Sequence, residues 1–320
     1  MSAPTLQTVM DLIDGRTDEL VALTQDLIRF PTINPPGEAY RPCAEYIGER
    51  LKKRGFTVEY VRGEGSPGDS DQYPRTNVIA RWTGSEPGPC VHFNSHIDVV
   101  EVGAGWTVDP FGGEVKDGRV YGRGACDMKG GLAASIIAVE ALIDSGLPLP
   151  GALEISGTVD EESGGYGGVA YLLPAPCVAD SSRMVIDRRF LIEETLEDVK
   201  GEVKAILDGL AAQRHGFRYE MRDLFQVAPS MADRDGPVAS TTAAAIETVL
   251  GKKAQFVCSP GTYDQKHIDR IGKLKDCIAY GPGVLDLAHQ PDEWVGIDDM
   301  TNSAKVMARA AYDLLTRKRS

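Results

Sequence analysis

A chain of 320 residues, 42% hydrophobic and 25% charged, has the apolar material for a sizeable core and the length of about two domains. Its formal charge of −13 disfavours nucleic acid and anionic membranes as main partners, because both recruit basic patches. The six cysteines are scattered with no CxxC pair, which argues against a disulfide framework and a thiolate zinc knuckle.

The stretch from Met1 to Leu20 carries Asp11, Asp14, Asp18 and Glu19 and lacks the apolar segment of a signal peptide. The most apolar run, from Leu132 to Ile143, is short and contains Glu140. The expectation is a cytoplasmic protein with no membrane span. Leu20, Thr24 and Leu27 mark one helical face, and Tyr40, Cys43, Ile47 and Leu51 mark another. Phe56, Val58 and Tyr60 alternate as in a half-buried strand, and apolar runs predict strands over 77–82 and 90–97. A helix over 130–145 and a strand over 152–159 follow. Strands separated by helices indicate an α/β sheet with helices packed on it.

A smaller unit comes next. Strands over 184–190 and 217–225 flank a helix over 196–210 that carries Val199, Val203, Ile206 and Leu210 on one face. This β-α-β pattern matches half of a ferredoxin-like domain. Residues 229–237 read as a linker back. A helix over 240–250, strands over 254–258 and 276–280, and a helix over 300–317 complete the α/β layer. The division is therefore 1–182 and 229–320 for the main domain, with 183–228 inserted between them.

The five histidines keep informative company. His92-Phe-Asn-Ser-His96-Ile-Asp98 ends an apolar strand, where residues two apart share a face, so His96 and Asp98 can converge. Asp127 lies in a glycine-rich turn, Gly122-Arg-Gly-Ala-Cys-Asp127-Met-Lys-Gly-Gly131. Asp160-Glu161-Glu162 follow a strand directly, and His289 sits in Ala288-His289-Gln-Pro-Asp-Glu293. Strand ends are where open α/β sheets bind ligands. Imidazole with carboxylate suits zinc, and one carboxylate can bridge two ions about 3.5–4 Å apart. A neighbouring carboxylate that binds no metal can serve as general base. Taken singly, His-x-Asp reads as a hydrogen-bonded pair, the acidic trio as a solvated turn, and the glycine run as a tight turn. The glycine run matches neither G-x-G-x-x-G, since Asp127 takes the last glycine position, nor the P-loop. Their common placement at strand ends favours a metal site.

Ser95-His96-Ile-Asp98-Val-Val, the segment 122–131 and Thr158-Val-Asp-Glu161-Glu162-Ser-Gly-Gly resemble the signatures of the zinc-dependent aminoacylase, carboxypeptidase and deacylase family. Acetylornithine deacetylase and succinyl-diaminopimelate desuccinylase are its metabolic members. The resemblance implies a zinc aminopeptidase-like α/β catalytic domain, a mixed sheet flanked by helices, with a partial ferredoxin-like lid. It implies two Zn2+ per chain, with Co2+ as an alternative. His96 would hold one ion, Asp127 would bridge both, and Glu162 with His289 would hold the second. Asp98 would orient His96, and Glu161 would be the general base. The Asp127–Met128 peptide is expected to be cis, and Gly261-Thr262-Tyr-Asp264 resembles a loop lining the substrate pocket. The implied substrate is an N-acyl amino acid, cleaved at its amide bond.

The pattern also breaks. Members of the family carry a further acidic zinc ligand after the Glu-Glu turn. A dimerising lid follows, with a histidine that stabilises the tetrahedral intermediate. Here Gly164 to Leu173 runs through Pro174-Ala-Pro176 almost directly into Arg183 to Arg189, and no histidine lies between His96 and His215. The segment with the acidic ligand and the first half of the lid are missing. Asp187 is the nearest carboxylate in the rejoined segment, and its place before Arg188-Arg189 favours an ion pair. His215 reads as a helix C-terminal residue and His267 as structural. Two rival readings follow from the break: a catalytically weak metal-binding relic, or a non-enzymatic interaction protein on the same scaffold. The family's homodimer is not expected to persist.

Overall fold

The computed structural model describes residues 4–172, 193–213, 229–257 and 263–317. Two amphipathic helices open the chain, α1 (Leu6–Asp14) and α2 (Thr17–Ile28), burying Val9, Ile13, Leu20, Leu23 and Leu27. Helix α3 (Tyr40–Lys53) buries Tyr40, Cys43, Ile47 and Leu51 against the strands β1 (Thr57–Arg62) and β2 (Thr76–Thr83). Strand β3 (Cys90–His96) follows. A hairpin of β4 (Glu114–Lys116) and β5 (Arg119–Tyr121) comes next, turned by Asp117 and Gly118 at φ 51° and 71°. Positive φ at both central residues is what a tight two-residue hairpin turn demands, and Asp-Gly supplies it.

Helix α4 (Gly130–Asp144) buries every residue from Gly130 to Leu142, as an all-round apolar helix must. It connects β3 to β6 (Ala152–Thr158), which lies parallel to β3. The short helix α5 (Val169–Leu172) precedes α6 (Leu196–Gln213), α7 (Pro237–Leu250) and α8 (Gln265–Arg270). Strand β7 (Trp294–Gly296) leads into α9 (Ile297–Thr316), which packs on α4 and α7.

The main sheet has the order β1-β2-β6-β3, antiparallel except for the β6–β3 pair, so it is mixed as expected. Helices α3, α4 and α9 contact this sheet, and Ile47, Val78, Ala80, Leu153, Ile155 and Ile137 fill the core between them. A second sheet, β4-β5-β7, joins the middle of the sequence to its last fifth.

Three expectations need correction. The strands expected over 254–258 and 276–280 are not formed by residues 254–257 and 276–280, which meet no ladder partner among the described residues; Val257 stays 80% exposed. The helix predicted over 196–210 forms and buries Val199, but Ile206 on the same predicted face is 66% exposed. The strands β4, β5 and β7 were not predicted: three residues each, with only Val120 and Val295 fully buried, are too short to show a period. The strands predicted over 184–190 and 217–225, Asp187 and His215 lie outside the described residues.

Candidate metal centre

Parallel neighbours end at the same edge of a sheet, and here those ends carry the chemistry. His96 closes β3 in register with Thr158, which closes β6, so Asp98 and the Asp160–Glu162 turn emerge side by side. The second sheet does the same for the other donors. Because β5 and β7 are antiparallel, the segment leaving β5 toward Asp127 lies beside the segment from His289 entering β7. The two sheets thus bring together four stretches far apart in sequence.

Among the described residues, His96, Asp127 and Glu162 offer ligand atoms all within 4.8 Å of one another. His96 Nε2 lies 3.0 Å from Asp127 Oδ1. His289 Nε2 lies 3.0 Å from Glu162 Oε1 and 3.6 Å from Asp127 Oδ2, so Asp127 stands between the two imidazoles. His96 Nδ1 donates to the Asp98 carbonyl at 3.0 Å, which turns Nε2, the nitrogen a cation would take, toward the cluster. Burial depresses the His96 imidazole, but its hydrogen bonds to Asp127 and Asp98 outweigh this and raise it well above its ordinary value. Burial likewise raises Asp127, and the His96 hydrogen bond reverses the sign and holds it low. The bond to Glu162 raises His289. The arrangement stabilises positive charge at its centre, and this donor set of imidazoles and carboxylates fits zinc.

Asp98 does more than face His96. Its carboxylate lies 3.5 Å from His96 Nδ1, accepts the backbone N–H groups of Glu161 and Glu162 at 3.2 and 3.1 Å, and takes the Asn34 amide at 3.0 Å. It therefore fixes the acidic turn to the end of β3. Asp160, at φ 63°, turns away from the cluster to meet Tyr40 Oη at 3.0 Å and Arg75 Nε at 3.2 Å. Neighbouring carboxylates on one turn thus face different ways.

Glu161 is the third. Its Oε1 is buried without a hydrogen-bond partner. Burial pushes its carboxyl up to about 8, with Asp264 and Glu162 adding to the rise against His96 and Lys266. A carboxyl poised near neutrality beside a cation-binding cluster has the properties of a general base.

The Asp127–Met128 peptide is cis. Of the predicted pocket loop, Gly261 and Thr262 lie outside the described residues. Asp264 is buried and accepts from Asn94 Nδ2 at 3.0 Å. His267 is fully buried, with Nε2 2.8 Å from the Gly164 carbonyl. Gly165, at φ 77°, leaves the room this packing needs, since a Cβ there would meet Asp264 Oδ1 at 3.0 Å. Asn34, Arg75 and Glu293 escaped the sequence reading. Each acts through a contact more than 60 residues away in the chain, and no local spacing announces it.

Residues 92–313 match peptidase family M20/M25/M40. Curated relatives include the succinyl-diaminopimelate desuccinylase of Rhodospirillum centenum, 37% identical over 206 residues, which are 61% of this chain and 50% of that protein. The same enzyme of Methylobacterium radiotolerans is 41% identical over 160 residues, 49% of this chain and 38% of that one. The chain spans about half or less of the length of the curated relatives it matches. Human carnosine dipeptidase 1 shares the fold with a TM-score of 0.77 at 16% identity, covering 98% of this chain and 100% of that one. The dipeptidase Dug1p of Saccharomyces cerevisiae does so with a TM-score of 0.72 at 16% identity, over 98% and 99%. No described helix is long and apolar enough to cross a membrane. With the sheet, the donor cluster and most of its length in agreement, this chain belongs to peptidase family M20/M25/M40.

Proposed function

We propose that this chain is a metal-dependent hydrolase that cleaves the amide bond of an N-acyl amino acid, in the manner of an acetylornithine deacetylase or a succinyl-diaminopimelate desuccinylase. The observation that carries this reading is the His96–Asp127–Glu162 cluster beside a buried Glu161 oxygen that makes no hydrogen bond and lies 3.9 Å from Lys266 Nζ. His96 would hold one Zn2+, Glu162 and His289 a second, and Asp127 could serve both. Bound there, the cations supply Lewis acidity, which lowers the pKa of a water and polarises an amide carbonyl.

The chain's own residues do the rest. Asp98 anchors His96 and the Glu161–Glu162 turn together. Glu161 takes a proton from the attacking water and passes it to the departing amine. Burial raises its carboxyl, which favours the protonated form it needs as the acid that completes the cycle. Asp264 belongs to the wall of the substrate pocket.

The missing lid segment favours one alternative, a metal-binding protein with weak turnover. The test is zinc analysis of the purified protein, followed by a screen of N-acetyl and N-succinyl amino acids with and without chelator. Two zinc ions with chelator-sensitive amide hydrolysis support the proposal. Zinc without hydrolysis supports the alternative, and absence of bound metal overturns both.

A further inference from the structure

His289 and Asp127 reach the same cluster from segments 162 positions apart, and neither segment is regular structure. Asp127 follows a glycine turn, and residues 289–293 form a loop in which His289 and Asp292 both adopt left-handed backbone, at φ 65° and 55°. Such conformations are strained for non-glycine residues, and they persist where surrounding structure enforces them. The enforcing structure is a buried pair, Arg123 and Glu293, whose side chains are 2% and 1% exposed.

The pair is reciprocal. Glu293 belongs to the His289 segment and reaches across to the Asp127 turn: its Oε1 accepts the backbone N–H of Cys126 at 2.9 Å and of Asp127 at 3.0 Å. Arg123 belongs to the Asp127 segment and reaches across the other way. Its Nη1 donates to Glu293 Oε2 at 2.8 Å and to the Gln290 carbonyl at 3.3 Å, and its Nη2 contacts the His289 carbonyl at 3.5 Å. Nη2 also donates to the Glu101 and Val102 carbonyls at 3.2 and 3.1 Å, Nε is buried without a hydrogen bond, and Trp106 covers the guanidinium with its ring centroid 5.2 Å away. The Gly122 amide adds a backbone bond to the Glu293 carbonyl at 3.0 Å. Each segment therefore holds the backbone of the other beside the residue that faces the cluster.

We propose that Glu293 is a positioning residue, which with Arg123 sets the spacing between Asp127 and His289 that a cation requires. The inference rests on the metal reading of the cluster. Glu293 itself does not point into it, since both of its oxygens are committed to the cross-link. Two consecutive N–H groups gathered on one carboxylate oxygen fix the peptide of Asp127, and through it the direction of the bridging carboxylate. Partners of this kind orient ligands, and their removal typically weakens metal binding by about 10–100-fold.

The experiment compares wild type with Glu293→Ala, Glu293→Gln and Arg123→Lys. It uses zinc titration by calorimetry, amide hydrogen exchange of the metal-free protein and thermal melting. Glu293→Ala is expected to lose about 10–100-fold in zinc affinity while the Cys126 and Asp127 amides exchange faster and the core strands stay protected. Glu293→Gln keeps an oxygen for both N–H groups and should recover most of the affinity. Arg123→Lys keeps the charge but cannot span the same carbonyls, so it should weaken zinc binding, and it folds independently of any failure of the alanine variant. Wild-type zinc affinity in Glu293→Ala or in Arg123→Lys overturns the proposal. So does a loss that Glu293→Gln fails to rescue, or one that merely follows global unfolding. If wild type itself binds no zinc, the metal reading falls, and local exchange at Asp127 alone then decides whether the cross-link fixes that peptide.

Discussion

Glu161 and Glu162 differ by one position and by what surrounds their carboxyl groups. Glu162 accepts from His289 at 3.0 Å, whereas Glu161 has a buried oxygen with no hydrogen bond, 3.9 Å from Lys266 Nζ, and a carboxyl raised to about 8. Glu161→Gln should therefore keep bound zinc and lose about 10²–10⁴-fold in kcat, the usual worth of a general base. Glu162→Gln should lose one zinc. Retained activity per zinc in Glu161→Gln, measured with metal content in the same sample, would reverse the assignment. His267 makes a separate prediction about stability. Burial lowers its imidazole from 6.5 to about 4, so the folded chain resists a proton that the unfolded chain takes up readily. A depressed histidine contributes its stability above pH 6.5 and loses it as pH falls toward 4, by at most about 3 kcal/mol. His267→Gln can still donate to the Gly164 carbonyl and should lose less between pH 6.5 and 4. Urea unfolding of both proteins across that window checks this, and parallel curves would refute it.

Helix α4 is the element on which the others assemble, and its buried face contains one charge. Glu140, with a fully buried side chain, accepts from Arg16 Nη2 at 2.6 Å and from Arg50 at 2.7 and 3.0 Å. The cluster ties the start of α2 and the end of α3 to α4. Removing one partner of a buried ion pair leaves uncompensated charge, which costs about 3–5 kcal/mol. Glu140→Ala should lie in that range by denaturant unfolding. A change below about 1 kcal/mol would show that Arg16 and Arg50 escape to solvent when their partner is lost.

At the scale of the molecule, the chain spans about half or less of the length of the curated relatives it matches. If the acidic ligand that follows the Glu-Glu turn in the family has no substitute here, His96 and Asp127 hold their ion with two protein donors. That ion should then bind more weakly than the one shared by Glu162 and His289. Calorimetric titration should show two unequal zinc sites, and His289→Ala should remove the tighter one. If this chain lacks the first half of the lid that the family resemblance implies, light scattering should show a monomer. Two equal zinc sites, a stable dimer and ordinary turnover would mean that the sequence after Leu173 rebuilds what the family's longer chains carry.

The sequence by itself determined the α/β class and the main strands and helices, and it put forward His96, Asp127, Glu162 and His289 as candidate donors, of which His96, Asp127 and Glu162 lie together among the described residues. Apolar periodicity marks buried faces, and strand ends mark where an α/β sheet binds ligands. It could not determine how the donors are held. The β2–β6 and β6–β3 pairings, the three-residue strands that set Asp127 beside His289, and the Arg123–Glu293 and Asn34–Asp98 contacts all join residues more than 60 positions apart. The apolar stretch at 254–257 shows the same limit from the other side: a strand pattern yields a strand only where a neighbour supplies the ladder. Local spacing encodes what a segment can bury, whereas which distant backbone it meets is decided by the packing of the whole chain.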